Sequence, residues 1–284
     1  GILHTRLAVS FPKKSESTFY MRLQGHLSGI DPYTKVSSDV YQDLFGEGSF
    51  IGKGIYDVDA FEKAVAQKFP DNRILSHDLL EGVYARSGYV SDVLLYEDNP
   101  SEYESDVIRR HRWIRGDWQI AAWMLPFVSD CQGKLFKNRL SILSRWKIMD
   151  NIRRSVLPIS LILLLLLGWS VLPFPWFWAL TVTIIILFAV MAAAGWQLLN
   201  KPEDMNFKDH GAEVSRSVWK VLLQFIFGIA VLPYDAIKNT DVILRTNWRL
   251  MFSQKKLLEW TPSTFSSSNS KDDLLSTYKS MWIC

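Results

Sequence analysis

Two stretches of the chain, residues 156–172 and 176–199, are almost wholly apolar and carry no charged side chain. The first is a little short of the ~20 residues that usually span a bilayer, and the second reaches that length. Pro173, Phe174 and Pro175 separate them. The pattern predicts a two-helix membrane hairpin with a tight turn, Trp176 and Trp178 lying in an interfacial aromatic belt. A third apolar stretch, 218–233, is shorter and holds Lys220 and Gln224, which favours an interfacial or protein-packed helix. In residues 138–154, Leu140, Leu143 and Lys147 alternate with Ile142, Trp146 and Met149 at helical spacing. That segment and 236–260 read either as helices at the membrane surface or as helices packed on the soluble part.

Ahead of the hairpin the pattern changes to that of a globular layer. Strand-like stretches cover residues 2–10, and residues 36–44 and 45–54 follow, with Gly46, Gly48, Gly52 and Gly54 in one short run. Such glycine density lets a backbone approach a ligand closely. Neither GxxxxGK[ST] nor GxGxxG is present, so the run is no phosphate loop. Asp59 and Glu62 have capping-box spacing and predict a helix to about Phe69. Ser76 is placed to cap a second helix that stops at Gly88. Residues 89–97 predict a strand, and 102–124 a helix rich in arginine and tryptophan. Alternating strands and helices give an α/β class.

Five segments follow from this reading: a globular part over 1–137, an interfacial helix over 138–155, the hairpin over 156–199, cytoplasmic or interfacial helices over 200–260, and a polar Ser-rich linker opening a further segment over 261–284. The chain opens on Gly1 and ends on Cys284, which reads as a piece of a longer polypeptide.

Charge adds orientation. The net charge of +3 offers nothing for nucleic acid. Lys134, Lys137, Arg139, Arg145, Lys147, Arg153 and Arg154 precede the hairpin against Asp150 alone, and Lys201, Lys208, Arg216 and Lys220 follow it. The uncharged turn at 173–175 therefore lies outside, with both ends and the globular part in the cytoplasm. Cys131 and Cys284 are far apart and form no disulfide framework, in keeping with a reducing compartment.

Two clusters carry chemistry. Asp78 follows His77 at a helix start, where the helix dipole stabilises a carboxylate. A general base at such a place takes the proton of an attacking hydroxyl. Taken alone, an acid in a first turn is equally ordinary helix stabilisation. Arg109, Arg112 and Trp113 stand at i, i+3 and i+4 on one helix face. Guanidinium groups pair with diphosphate, and an indole offers a flat platform for a sugar ring. Taken alone, this cluster also fits a cation-rich surface helix.

In this order the clusters, His77-Asp78 and then Arg109-x-x-Arg112-Trp113 before membrane helices, resemble the later half of family-2-like processive glycosyltransferases, with Arg109 in place of the usual glutamine. Residues 39–61 (DVYQDLFGEGSFIGKGIYDVDAF), 75–103 (LSHDLLEGVYARSGYVSDVLLYEDNPSEY), 109–119 (RRHRWIRGDWQ) and 143–158 (LSRWKIMDNIRRSVLP) resemble the cyclic β-1,2-glucan synthases, glycosyltransferase family 84, over about residues 1–260. The resemblance implies the C-terminal part of a GT-A-like glycosyltransferase domain followed by a transmembrane helical hairpin and interfacial helices. It implies an inverting, processive enzyme in the bacterial inner membrane with its catalytic part in the cytoplasm. UDP-glucose would be the donor and a growing β-1,2-glucan the acceptor, with membrane lipid and the remainder of the synthase polypeptide as the other partners. Asp78 inherits the role of base. His77, Arg109, Arg112 and Trp113 inherit the diphosphate and acceptor region, and Gly48 and Ser49 a place along the acceptor channel. A divalent metal, Mg²⁺ or Mn²⁺, is expected for the intact enzyme with its ligands outside this chain. Asp57-Val58-Asp59 imitates the metal-binding D-x-D, but Asp59 is expected to cap a helix. The nucleotide-binding half would then lie upstream, and the chain alone would be inactive. Other readings are a synthase of linear osmoregulated glucan or a cellulose-like polymer, and a non-catalytic membrane scaffold module.

Overall fold

The computed structural model describes residues 1–10, 17–24, 39–75, 78–98, 100–199 and 206–260. The elements run β1 (Ile2–Ser10), α1 (Phe19–Gln24), α2 (Val40–Phe45), β2 (Gly54–Tyr56), α3 (Val58–Val65), α4 (Asp78–Ala85), β3 (Ser87–Asp98) and α5 (Tyr103–Gln119). A 3-10 turn (Ala121–Met124), β4 (Phe127–Ser129) and β5 (Leu135–Lys137) follow. Three long helices come next: α6 (Ile142–Ser170), α7 (Pro175–Leu199) and α8 (Phe207–Trp248), the last running into a π-helical turn (Arg249–Ser253).

The chain divides into two units. The first holds residues 1–155 and the returning segment 241–260. Its sheet has the order β2-β1-β3. β1 pairs antiparallel with β2 and parallel with β3, with a register shift between Thr5 and Arg6 that skips residues 91–93. Helices flank this mixed sheet, as the α/β class requires. A core of Leu80, Ile120, Trp123, Val128, Leu140 and Ile148 joins α4, the end of α5, β4 and the start of α6.

Several boundaries differ from the sequence expectation. Asp57, not Asp59, caps α3: its Oδ1 accepts the Ala60 N–H at 2.7 Å, so the cap lies two residues ahead of the capping-box reading. Asp39 caps a short helix, α2, accepting the N–H groups of Tyr41 and Gln42 at 2.8 and 3.0 Å. Gly46, at φ +66°, ends it in the left-handed conformation. α4 stops at Ala85 because Arg86 takes a left-handed φ of +60°, so Gly88 lies inside β3 and ends nothing. Ser76, the expected cap of α4, lies outside the described residues, as do the Ser-rich 261–284.

The expected interfacial helix over 138–155 is not separate from the first apolar stretch. It is the opening of α6, continuous through Pro158. A single proline removes one backbone hydrogen bond, a loss that a long apolar helix tolerates. On this opening Ser144, Lys147, Ile148 and Asp150 are buried in the first unit, while Ile142, Trp146 and Met149 stay exposed.

The second unit covers 156–240. Leu161, Val182 and Leu232 bring α6, α7 and α8 together. α6 and α7 form the expected helical hairpin. Gly168 permits their close approach, since a Cβ there would lie 2.5 Å from the Trp178 Cβ. The Trp178 indole N–H donates to the Pro173 carbonyl at 3.0 Å, tying the turn, and Trp169, Phe174 and Trp176 are exposed around it. By length and composition α6, and α8 with its π-helical turn, are long and apolar enough to cross a membrane. The apolar part of α7 among the described side chains, Pro175–Phe188, is shorter. The 218–233 stretch is no isolated short helix but the middle of the 42-residue α8.

One close packing contact is open to direct test. A Cβ on Gly82 of α4 would lie 2.5 Å from the Phe50 Cβ. Gly82→Ala should destabilise the protein by about 1–3 kcal/mol through overpacking. Thermal unfolding in detergent would show this, and an unchanged midpoint would mean that Phe50 yields freely.

Candidate functional site

The glycine run passes over α4 and the residue that opens β3. Gly48 faces Ser87, Phe50 faces Gly82, and Gly52 faces Asp78. One side chain is missing at each of these close approaches, on the loop at Gly48 and Gly52 and on α4 at Gly82. A Cβ on Gly52, whose φ is +82°, would fall 2.9 Å from the Asp78 Cγ. The Asp78 carboxyl group thus sits at the first residue of α4 under the bare backbone of Gly52. Gly48 is buried, and its missing side chain is accounted for by the Ser87 carbonyl 2.6 Å from where its Cβ would be. His77 lies outside the described residues.

Both margins of the loop are fixed. On one side, the buried Asp39 lies 3.4 Å from the Ser49 N and 3.4 Å from His4 Nε2. Burial pushes the Asp39 carboxyl up, but the His4 hydrogen bond and the amides of Gln42 and Ser49 outweigh it and hold the group below the usual range. On the other side, the opening of α6 clamps Glu47. Its carboxylate accepts from the Ser141 hydroxyl at 2.9 Å and from Ser144, and Lys147 Nζ donates to the carbonyls of Glu47 and Gly48 at 3.2 and 3.4 Å. Lys147 also lies over the Tyr41 ring, 4.4 Å from its centroid.

A second cluster is built on α5. Arg109 pairs with Asp106 at 2.7 Å and lies 4.9 Å over the Trp113 ring. One face of the indole is therefore covered by a guanidinium already neutralised by its own helix. Arg110 shares Asp106 at 3.0 Å. Arg112 instead lies over Trp260, 4.9 Å from its ring centroid. The buried Arg115 donates to the carbonyls of Lys256 and Leu257, each at 3.0 Å, and to that of Glu259. Gln119 Nε2 donates to the Leu257 carbonyl at 2.9 Å, and its Oε1 accepts the Leu75 N–H at 2.7 Å. Gln119 so links the returning segment to the chain that leads into Asp78.

The structure thus puts Gly52, on the same loop as Gly48 and Ser49, against Asp78, sets Gly48 and Ser49 themselves against Ser87 and Asp39, and carries Arg109, Arg112 and Trp113 together on α5. Sequence reasoning missed Lys147, Arg115 and Trp260. The last two act across more than a hundred residues of chain, a pairing that no local spacing signals. Among the described residues no three His, Cys, Asp or Glu side chains converge as a metal site, and the Asp57 carboxylate is engaged as a helix cap.

No family model matches the chain. A curated relative, cyclic beta-(1,2)-glucan synthase NdvB of Rhizobium meliloti (strain 1021), is 36% identical over 287 aligned residues, which cover 99% of this chain. Along almost its whole length the chain is therefore related to a cyclic β-1,2-glucan synthase, as the motifs implied. It spans about a tenth (10%) of that relative's length.

Asp117, beside this cluster, gives a pH dependence. Burial pushes its carboxyl up to about 7, opposed by the Asn151 amide at 3.1 Å and the charge of Arg154. The folded state then holds a proton that the unfolded state releases from about pH 4 upward. Stability from this group is present at low pH and falls as pH rises toward 7. Asp117→Asn should raise the thermal midpoint by several degrees at pH 8 and change it little at pH 4. An equal change at both pH values would contradict this.

Proposed function

We propose that this chain, as a relative of the cyclic β-1,2-glucan synthases, is the acceptor-side half of an inverting, membrane-bound glucosyltransferase that extends a β-1,2-glucan from UDP-glucose. One observation supports this above the others: the Asp78 carboxyl group at the start of α4, under a backbone stripped of side chains at Gly52. The helix dipole suits a carboxylate at this position, and Gly52 sets no side chain against it. In the reaction Asp78 takes the proton of an acceptor hydroxyl. The hydroxyl oxygen attacks the anomeric carbon of glucose, and the bond to the diphosphate breaks on the opposite face, its electron pair leaving with UDP. One displacement turns an α-linked donor into a β-linkage.

Arg112 and Arg109 would meet the diphosphate, and Trp113 would carry the acceptor ring on its open face. Because Arg109 is already paired with Asp106, the greater share of diphosphate charge falls to Arg112. Gly48 and Ser49 would shape the acceptor channel by fixing the loop, and His77 would flank the base. Mg²⁺ or Mn²⁺ would screen the diphosphate in the intact enzyme. Its ligands, like the nucleotide pocket, would belong to the part of the enzyme outside this chain. A GT-A-like core fits the mixed sheet and its flanking helices.

The return of the chain supports the topology proposed here. Residues 1–155 and 241–260 belong to one compact unit. For that unit to lie on one face of a membrane, the intervening chain must cross an even number of times. A hairpin of α6 and α7 would meet this where α8 does not cross, and the flanking basic residues favour the cytoplasmic face for the unit.

Two experiments follow. Asp78→Asn in the full-length protein should lower glucose transfer by about 10²–10⁴ while UDP-glucose binding stays nearly intact; near wild-type turnover would sink the assignment. Separately, single cysteines replacing Phe174 and Ser215 in a cysteine-free background should differ in intact cells. A membrane-impermeant thiol reagent should label position 174 and leave position 215 untouched. Labelling at 215 would overturn the topology.

A further inference from the structure

Trp260 has no part in the scheme above, yet it is delivered to the α5 cluster with care. Its ring lies against Arg112, while 47% of the residue remains exposed. The bond network ahead of it is that of a fixed strap. Arg115, only 6% exposed, is spent on the carbonyls of residues 256, 257 and 259, and Gln119 adds a further bond to Leu257. Burying an arginine is costly unless its donors are satisfied, and here three carbonyls satisfy them. Leu257, 5% exposed, supplies the apolar anchor of the strap. With donors and anchor in place, the strap holds without Trp260. A half-exposed indole three residues farther on adds little to that attachment. It does present a flat apolar ring beside Arg112.

Glucose rings carry apolar C–H faces ringed by hydroxyls. They match an aromatic plane flanked by guanidinium donors, and two such pairs occur on this cluster: Arg109 with Trp113 and Arg112 with Trp260. We propose that Trp260 is a second acceptor subsite, stacking a glucose unit of the growing glucan farther along the chain than the unit on Trp113. This rests on the glucan-transferase reading above. The Arg115 strap sets the position of the subsite, and Arg112 holds the plane of the ring.

The test uses the full-length protein in detergent, with Trp260→Leu and Trp260→Phe. Leucine keeps apolar bulk on the strap but removes the flat ring, whereas phenylalanine keeps a ring. Extension of a short glucose oligosaccharide and hydrolysis of UDP-glucose are measured side by side. Trp260→Leu should raise the KM for the oligosaccharide by about tenfold and leave hydrolysis and the thermal midpoint near wild type. Trp260→Phe should recover most of the loss. An unchanged oligosaccharide KM in Trp260→Leu would overturn the subsite. Equal loss of extension and hydrolysis together with a lowered midpoint in both variants would also overturn it, by showing that Trp260 only latches the strap. A wild-type protein that transfers no glucose would instead sink the transferase reading on which the subsite rests.

Discussion

The run from Gly48 to Gly52 must lie flat against α4, and most of the first unit depends on that contact. A loop and a helix pack this closely only where side chains are missing at the crossings. Gly48, Gly82 and Gly52 supply those absences in turn, with Phe50 filling the space that Gly82 leaves. The same contact brings Phe50 into the small core of Ile2 and Ala85 and so fixes α4 against β1. A carboxylate on the first residue of α4 then stands at a place set by backbone, not by flexible side chains. The base proposed at Asp78 would need this kind of rigidity.

Buried polar groups carry the remaining order. Lys147 and Arg115 are cations used as donors to backbone carbonyls, one at the glycine loop and one at the returning strap. A salt bridge joins two side chains, whereas a cation on carbonyls pins main chain directly. Both sites tie segments far apart in sequence to the globular unit. The first belongs to the opening of α6, and the second holds the segment that follows α8. The opening of α6 and the end of α8 thus both belong to the first unit.

Local chemistry was legible in the sequence, and distant pairing was not. The apolar runs gave the α6–α7 hairpin, and the glycine density marked the loop that passes Asp78. The strand at 89–97 and the arginine-rich helix emerged nearly as read. Misplaced ends trace to caps two residues away: Asp57 captures α3 before Asp59 can, and Arg86 accepts a left-handed φ that glycine would ordinarily take. Residues 138–155 were read as a separate interfacial helix because charge and apolarity alternate there, yet the backbone continues into the apolar stretch without interruption. Trp260 gave no signal, since its partner lies on α5, far back in the chain.

The return of the chain after α8 also bears on why the second cluster has its present form. The first unit is interrupted in sequence by the second and is closed by the segment that comes back, and the closing contact falls on α5, the helix that carries Arg109, Arg112 and Trp113. Arg115 and Gln119, on later turns of that helix, receive the strap. Gln119 also receives the Leu75 N–H just ahead of Asp78. Positioning of the carboxylate, of the arginine–tryptophan pairs and of the returning strap therefore converges on one helix. A shift of the strap would be felt at α5 first and, through Gln119, at the chain entering α4. The transferase proposed above would have to hold its polymer while its donor exchanges, and a site built on one helix and closed by the returning segment couples those two tasks through side-chain groups bonded to main chain.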